Sequence, residues 1–168
     1  VGTFGQAARE WVDFLARAKQ RYWQVLPLGP TSFGDSPYQS YSAFAGNPLF
    51  IDLQELCNAG LLKKGRCKRT PWGEDPSYVD YDTVRAGRDQ LLRRAFSHFQ
   101  HFRVLERFRK RNKFWVEDYA LYMALKEKMD GRPWPEWEEG LRMRDPETLE
   151  VWKKRCKEEV DYHVFTQY

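Results

Sequence analysis

The chain has 168 residues, 42% of them hydrophobic and 16% aromatic, and its 28 Lys or Arg against 24 Asp or Glu leave a formal net charge of +4. A chain of this size and apolar content buries a sizeable core and makes one domain or a large part of one, which excludes a disordered tail. Ten of the basic residues, with only two acids, fall between Arg85 and Lys113, and the remainder is net acidic. The overall excess is therefore no argument for a nucleic-acid or anionic-membrane partner. No apolar run approaches the roughly 18 residues that span a bilayer, and the start lacks the charged and apolar regions of a signal peptide, so a soluble protein is expected. Cys57, Cys67 and Cys156 are odd in number and contain no C-x-x-C pair, which fits a reducing, cytoplasmic compartment better than a disulfide framework or a zinc ribbon.

From Phe4 to Lys19 the apolar residues Phe4, Ala8, Trp11, Leu15 and Ala18 recur at three- and four-residue spacing, the stripe of an amphipathic helix lying on a core. Tyr22 to Leu28 reads Tyr-Trp-Gln-Val-Leu-Pro-Leu and closes on Gly29-Pro30, the signature of a buried strand. Helix then strand implies an α/β unit. A parallel partner strand would normally precede the helix, and only Val1 and Gly2 do. With an opening on Val1 and an ending on Phe165-Thr166-Gln167-Tyr168, the expectation is a piece of something longer.

Residues 29–47 hold two Pro, three Gly and five Ser or Thr with no periodicity, a length at which an ordered loop is uncommon unless functional. Phe33, Tyr38, Tyr41 and Phe44 argue that it is packed rather than disordered. Between Tyr22 and Ile51 the one formal charge is Asp35, a depletion that marks core or the wall of a pocket. Further on, a short helix is expected over Leu53–Leu62, broken at Gly60, then a loop through Gly65, Pro71, Gly73 and Pro76 to Val84. Arg85–Lys113 forms one long or two abutting helices. Trp115–Met129 is another, with Ala120, Leu121, Ala124 and Leu125 inward and Asp130-Gly131 ending it. Asp145-Pro146-Glu147 starts a last helix running to about Phe165.

The sharpest constellation is Gly34-Asp35-Ser36-Pro37-Tyr38-Gln39-Ser40, followed by Ser42, Gly46 and Asn47, just past the end of the expected strand, where α/β proteins place ligands. Hydroxyls, an amide and a phenol around aromatic faces suit a sugar. The other reading is a packed loop in which Tyr38 and Tyr41 are core and Ser36-Pro37 is a turn. In the basic segment, Phe96, Phe99, Phe102, Leu105 and Phe108 fall every third residue, so a buried stripe with solvated Arg and Lys is favoured over nucleic-acid binding. His98 and His101 lack a third metal ligand at a fitting spacing, and neither a metal nor a cysteine nucleophile is expected. Asp80 and Asp82 read as solvated turn carboxylates.

Tyr22 to Leu53, above all Tyr-Trp-Gln-Val-Leu-Pro-Leu-Gly-Pro-Thr, Gly-Asp-Ser-Pro-Tyr-Gln-Ser and Phe-Ala-Gly-Asn-Pro-Leu-Phe-Ile-Asp-Leu, closely resembles the amylomaltase or disproportionating-enzyme family, glycoside hydrolase family 77. Gly2–Leu15, Asp118–Lys126 and Gly131-Arg132-Pro133-Trp134 carry the likeness across nearly the whole chain; it is weakest between Cys67 and Arg111. The resemblance implies a 4-alpha-glucanotransferase, retaining and without an organic cofactor, that passes part of a 1,4-α-glucan to the 4-hydroxyl of an acceptor. It implies an amino-terminal fragment of an α-amylase-like TIM (β/α)8 barrel. Residues 1–53 would be the start of that barrel with the active-site loop 29–47, and residues 54–168 a mostly helical inserted subdomain. Tyr38 and Ser36 match residues lining the glucan groove; Asp35, Gln39 and Asn47 match the same block. Retaining chemistry needs two carboxyl groups about 5 to 5.5 Å apart, and the family's catalytic acids belong to later strands, so no catalytic residue is carried over. The partners implied are α-1,4-glucans and maltooligosaccharides, not nucleic acid or membrane. The residues leave open a retaining α-glucan hydrolase and a non-catalytic glucan- or nucleic-acid-binding role. Lys19, where the family often has a helix-ending Gly, and Tyr41, where Phe is usual, depart from the pattern.

Overall fold

The computed structural model describes residues 2–75 and 77–168, without the side chain of Phe33. The expected loop position Pro76 and the terminal Val1 therefore lie outside the described residues, as does the Phe33 ring. The described chain is helical: α1 (Gln6–Arg17), α2 (Leu53–Asn58), α3 (Lys64–Arg69), α4 (Tyr81–His98), α5 (Phe102–Arg111), α6 (Val116–Lys128), α7 (Glu139–Arg142), α8 (Pro146–Arg155) and α9 (Lys157–Gln167), with 3-10 turns at Phe33–Asp35, Pro48–Phe50 and Trp134–Glu136. No helix is long and apolar enough to cross a membrane among the described residues. The chain divides into two compact units, Val1–Gln100 and His101–Tyr168.

In the first unit the expected strand at Tyr22–Leu28 does not form. No strand is present among the described residues; a single antiparallel bridge joins Thr31 and Ser40. A strand exists through ladder bonds to a neighbour, and the described chain offers this run no second extended segment to pair with. Its side chains show the same lack: Tyr22 is 91% exposed and Leu26 59%. The amphipathic helix does form, as α1, but no residue of it is buried, because nothing in this unit seals the face carrying Trp11 and Phe14. The amino-terminal segment is instead held at its start. Phe4 N–H donates to the Phe50 carbonyl at 2.9 Å, the Phe4 and Phe50 rings lie 5.2 Å apart, and Arg9 pairs with Glu55 at 2.8 Å.

Helix α2 is capped at its start by Asp52, which accepts from Glu55 N–H at 3.0 Å. It ends in a Schellman turn: Gly60 takes φ 75°, its N–H reaches the Cys57 carbonyl, and Leu61 N–H reaches the Leu56 carbonyl. The stretch after it was expected to be a loop. Helix α3 forms there despite Gly65, since a six-residue helix packed on α2 needs little intrinsic propensity. Asp80, expected to be merely solvated, caps α4 by accepting from Thr83 N–H at 3.0 Å. Val84, Leu91, Leu92 and Ala95 of α4 are buried and, with Leu49 and Leu62, make the core of this unit.

The basic segment resolves into two helices, α4 and α5, separated by Phe99–His101. The break interrupts the aromatic stripe. Phe99 and Leu105 are buried, whereas Phe102 is 52% exposed. In the second unit α6 packs mainly on α9. Ala120, Leu121, Ala124 and Leu125 all point inward as their spacing requires, against Val160, Val164 and Phe165. Arg109 of α5 bonds Glu117 at 2.8 and 2.9 Å and also Asp161, which pairs that one charge of the basic run within the unit. The last helix, expected to be continuous, breaks at Cys156 into α8 and α9. Asp145 caps α8 as anticipated, accepting from Thr148 N–H at 2.8 Å.

Candidate functional site

The loop 29–47 is closed at its neck by Asn47 N–H donating to the Leu28 carbonyl at 2.9 Å. Further in, Ser32 N–H donates to the Gln39 carbonyl at 3.0 Å, and Gln39 N–H to the Ser36 carbonyl at 3.2 Å, so residues 32–39 are pinched into a turn. Two successive residues of that turn are left-handed, Gly34 at φ 68° and Asp35 at φ 57°. Nothing lies within 4 Å of where a Cβ on Gly34 would stand, so glycine is favoured there by backbone conformation and not by space.

The hydroxyls of this loop hold it together. Ser40 Oγ donates to the Ser42 carbonyl at 2.8 Å, Ser42 Oγ accepts from the N–H groups of Phe44 and Ala45 at 3.1 Å each, and Ser36 Oγ accepts from Tyr38 N–H at 3.3 Å. Asn47 Oδ1 accepts from Leu49 N–H at 3.0 Å and so caps the Pro48–Phe50 turn. Beneath the loop Pro30, Ala45 and Leu49 are buried. Tyr41 is half-buried, and burial pushes its phenol above the ordinary tyrosine range. This network argues against disorder in the loop.

The packed-loop reading does not hold for Tyr38. Its ring is 74% exposed, so this tyrosine is not core, and Phe44 is 62% exposed. Among the five candidate residues, Asp35 and Asn47 line one cavity of about 440 Å³ together with Trp23, Leu28, Phe50 and Tyr81. Ser36, Tyr38 and Gln39 lie on the turn and do not line that cavity. Asp35 is ion-paired with Arg85, which also donates to Thr31 Oγ1 at 2.9 Å. Arg85 and Arg88, one turn apart on α4, went unrecognised in the sequence because they opened a basic run read as a solvated face. Arg88 is buried at 7% exposure, donates to the Ile51 carbonyl at 2.5 Å, and lies over the Trp72 ring at 5.9 Å. A basic pair at the start of a helix facing a charge-poor aromatic loop is the signal that would have found them.

The one carboxylate of this loop, Asp35, is already paired with Arg85. The two unpaired carboxyl groups that glycoside chemistry needs are not brought together here. No cluster of three or more His, Cys, Asp or Glu suited to a metal occurs among the described residues. His98 instead places Nδ1 3.1 Å from the Leu61 carbonyl.

The family model described as 4-alpha-glucanotransferase (glycoside hydrolase family 77) matches residues 1–168. This chain belongs to the 4-alpha-glucanotransferase family. It is 46% identical over 174 residues to the 4-alpha-glucanotransferase of Streptococcus pneumoniae serotype 4, and 44% identical over 178 residues to that of Thermus thermophilus. All of this chain and 34% of each relative are covered. Among solved structures it is similar to the amylomaltase from Streptococcus agalactiae in complex with acarbose, with a TM-score of 0.93 and 39% identity over 99% of this chain and 34% of that one. The chain thus spans about a third of the length of these family members, so the helical architecture described above is that of one portion of an amylomaltase-type fold.

Proposed function

We propose that this chain is the amino-terminal portion of a 4-alpha-glucanotransferase that acts on α-1,4-glucans and maltooligosaccharides, and that the loop 29–47 forms one wall of the glucan groove. The observation that carries the site reading is Tyr38: an aromatic residue 74% exposed on a turn pinned by the Ser32–Gln39 and Gln39–Ser36 backbone bonds. A rigidly presented aromatic face suits stacking on the C–H face of a sugar ring, and neighbouring Ser36 and Gln39 carry polar atoms for its hydroxyls. Asp35 and Asn47 act in this reading through the turn they hold. The acarbose complex of the Streptococcus agalactiae amylomaltase supports a saccharide ligand for the family member as a whole.

The apolar run Tyr22–Leu28, exposed here, belongs in this proposal to an incomplete (β/α)8 barrel of the α-amylase type. Residues 1–53 begin that barrel, and residues 54–168 are the helical insertion. A cytoplasmic location agrees with Cys57, Cys67 and Cys156 all being free thiols.

The test is to give the full-length protein maltotriose and resolve the sugars by chain length. Glucose together with a ladder longer than maltotriose is the expected result. Glucose and maltose alone would identify a hydrolase, and no turnover by a correctly folded protein would leave a binding role.

A further inference from the structure

Cys57 and Cys67 have no part in the groove, and their placement is specific. Helix α2 ends at Asn58, the Gly60 turn reverses the chain, and α3 returns so that the two sulfurs lie 3.8 Å apart. A disulfide holds its sulfurs about 2 Å apart, so two sulfurs 3.8 Å apart at the tips of rotatable side chains on packed helices have less than about 2 Å to close. Both are partly exposed, and both line an open cavity of about 810 Å³ with Trp72, Tyr78 and Arg88, which admits a small oxidant. A metal is not the explanation, because no third or fourth ligand joins them among the described residues. Burial pushes the Cys67 thiol up, and the neighbouring Cys57 adds to this; Arg88 opposes both by favouring the thiolate.

We propose that Cys57 and Cys67 are a reversible dithiol, a site of intrachain disulfide formation with low-molecular-weight disulfides. The thiolate of one cysteine attacks the small disulfide, forming a mixed disulfide and releasing one small thiolate. The second cysteine then attacks the protein sulfur of that mixed disulfide, forms the Cys57–Cys67 bond and expels the second small thiolate. Two protein thiols are oxidised, one small disulfide is reduced to two thiols, and the two cysteine protons end on the departing thiols. The bond cross-links α2 to α3. Helix α2, capped by Asp52, begins directly after the turn that Asn47 caps, so oxidation stiffens the support on which the carboxyl end of the 29–47 loop rests.

The experiment equilibrates the full-length protein in buffers of oxidised and reduced glutathione, alkylates the remaining thiols, and maps the peptides by mass. Expected is a linked peptide pair containing Cys57 and Cys67, with both lost to alkylation together, both recovered on reduction, and Cys156 alkylated throughout under denaturing conditions. C57S and C67S, each checked for native circular dichroism, should stop at a glutathione adduct on the surviving cysteine, and C156S should behave as the parent. The proposal is overturned if the parent protein accumulates the glutathione adduct, if either cysteine links elsewhere, or if both stay alkylatable in the most oxidising buffer.

Discussion

Arg85 of α4 is ion-paired with Asp35, fifty residues earlier in the chain, and donates to Thr31 just before the same turn. This one guanidinium ties Thr31 to the left-handed Asp35 at the start of the pinched segment 32–39, so the turn that carries Tyr38 is held by a residue distant in sequence. Replacing Arg85 with Ala should loosen the turn by roughly 1–2 kcal/mol, the range for charged hydrogen bonds discounted for partial exposure. The expected readout in the full-length protein is faster amide exchange over residues 32–39 and a raised KM for maltotriose. Arg85→Lys, which keeps the charge but not the planar guanidinium whose Nη2 donates to both partners, should fall between; unchanged exchange in Arg85→Ala would refute the tether.

Tyr38 separates binding from folding. Because its ring is exposed, Tyr38→Ala should leave melting unchanged while weakening glucan binding by about two- to tenfold, the scale of one aromatic contact. Tyr38→Phe keeps the face and loses the hydroxyl, so it should retain most of the affinity. Calorimetric titration of an inactive full-length variant with a maltooligosaccharide would measure both, and equal loss in the two variants would assign the effect to the hydroxyl.

Helix α1 ends in the same turn as α2, but with a lysine where α2 has Gly60. Lys19 takes φ 58°, with its N–H on the Ala16 carbonyl and Gln20 N–H on the Leu15 carbonyl. A side chain in the left-handed region costs roughly 1 kcal/mol, which glycine avoids. Lys19→Gly should therefore stabilise the end of α1 by about 1 kcal/mol, seen as slower exchange of the Ala18–Gln20 amides. Faster exchange would mean that the Lys19 side chain contributes more than its backbone strain.

Asp52 gives part of this unit an acid sensitivity. The hydroxyl of Thr3, donating at 2.6 Å, holds its carboxyl below the ordinary range, helped by the N–H groups of Glu55 and Gln54 and by Arg88, against the opposing effect of burial. A folded-state value below the unfolded one contributes stability above the unfolded pKa, and that stability is lost as pH falls through the folded one. Exchange at the α2 amides should accordingly accelerate as pH drops below the ordinary carboxylate range, once the intrinsic pH dependence is removed. In Asp52→Asn this component should vanish, and Asp52→Ala should lose about 1 kcal/mol at neutral pH with its cap. A profile in Asp52→Asn that still follows the parent would place the titration elsewhere.

Several elements were legible because local chemistry alone specifies them. The inward Ala and Leu of α6, the Asp145-Pro146 start of α8 and the Gly60 stop of α2 each follow from periodicity or capping within a few residues. The run at Tyr22–Leu28 was legible as apolar and β-prone yet forms no strand, since the bonds that define one come from a partner. The break at Phe99–His101 decides between the one long and two abutting helices that the sequence left open, whereas the break at Cys156 was not legible because it contains no Gly-Pro punctuation, and α3 because Gly65 and Pro71 suggested a loop that packing on α2 overrode.

By itself the sequence determined that the chain is charge-poor and hydroxyl-rich over one long loop, that helices dominate its second half, and which family it resembles, because all of these depend on residue identity and short-range order. Only the tertiary structure decided that Tyr38 stands in solvent while Ala45 and Leu49 are buried, that Asp35 is already neutralised by Arg85, and that Cys57 meets Cys67. Those are encounters across helices or across fifty residues of chain, set by how α2, α3 and α4 pack, and no local pattern encodes them.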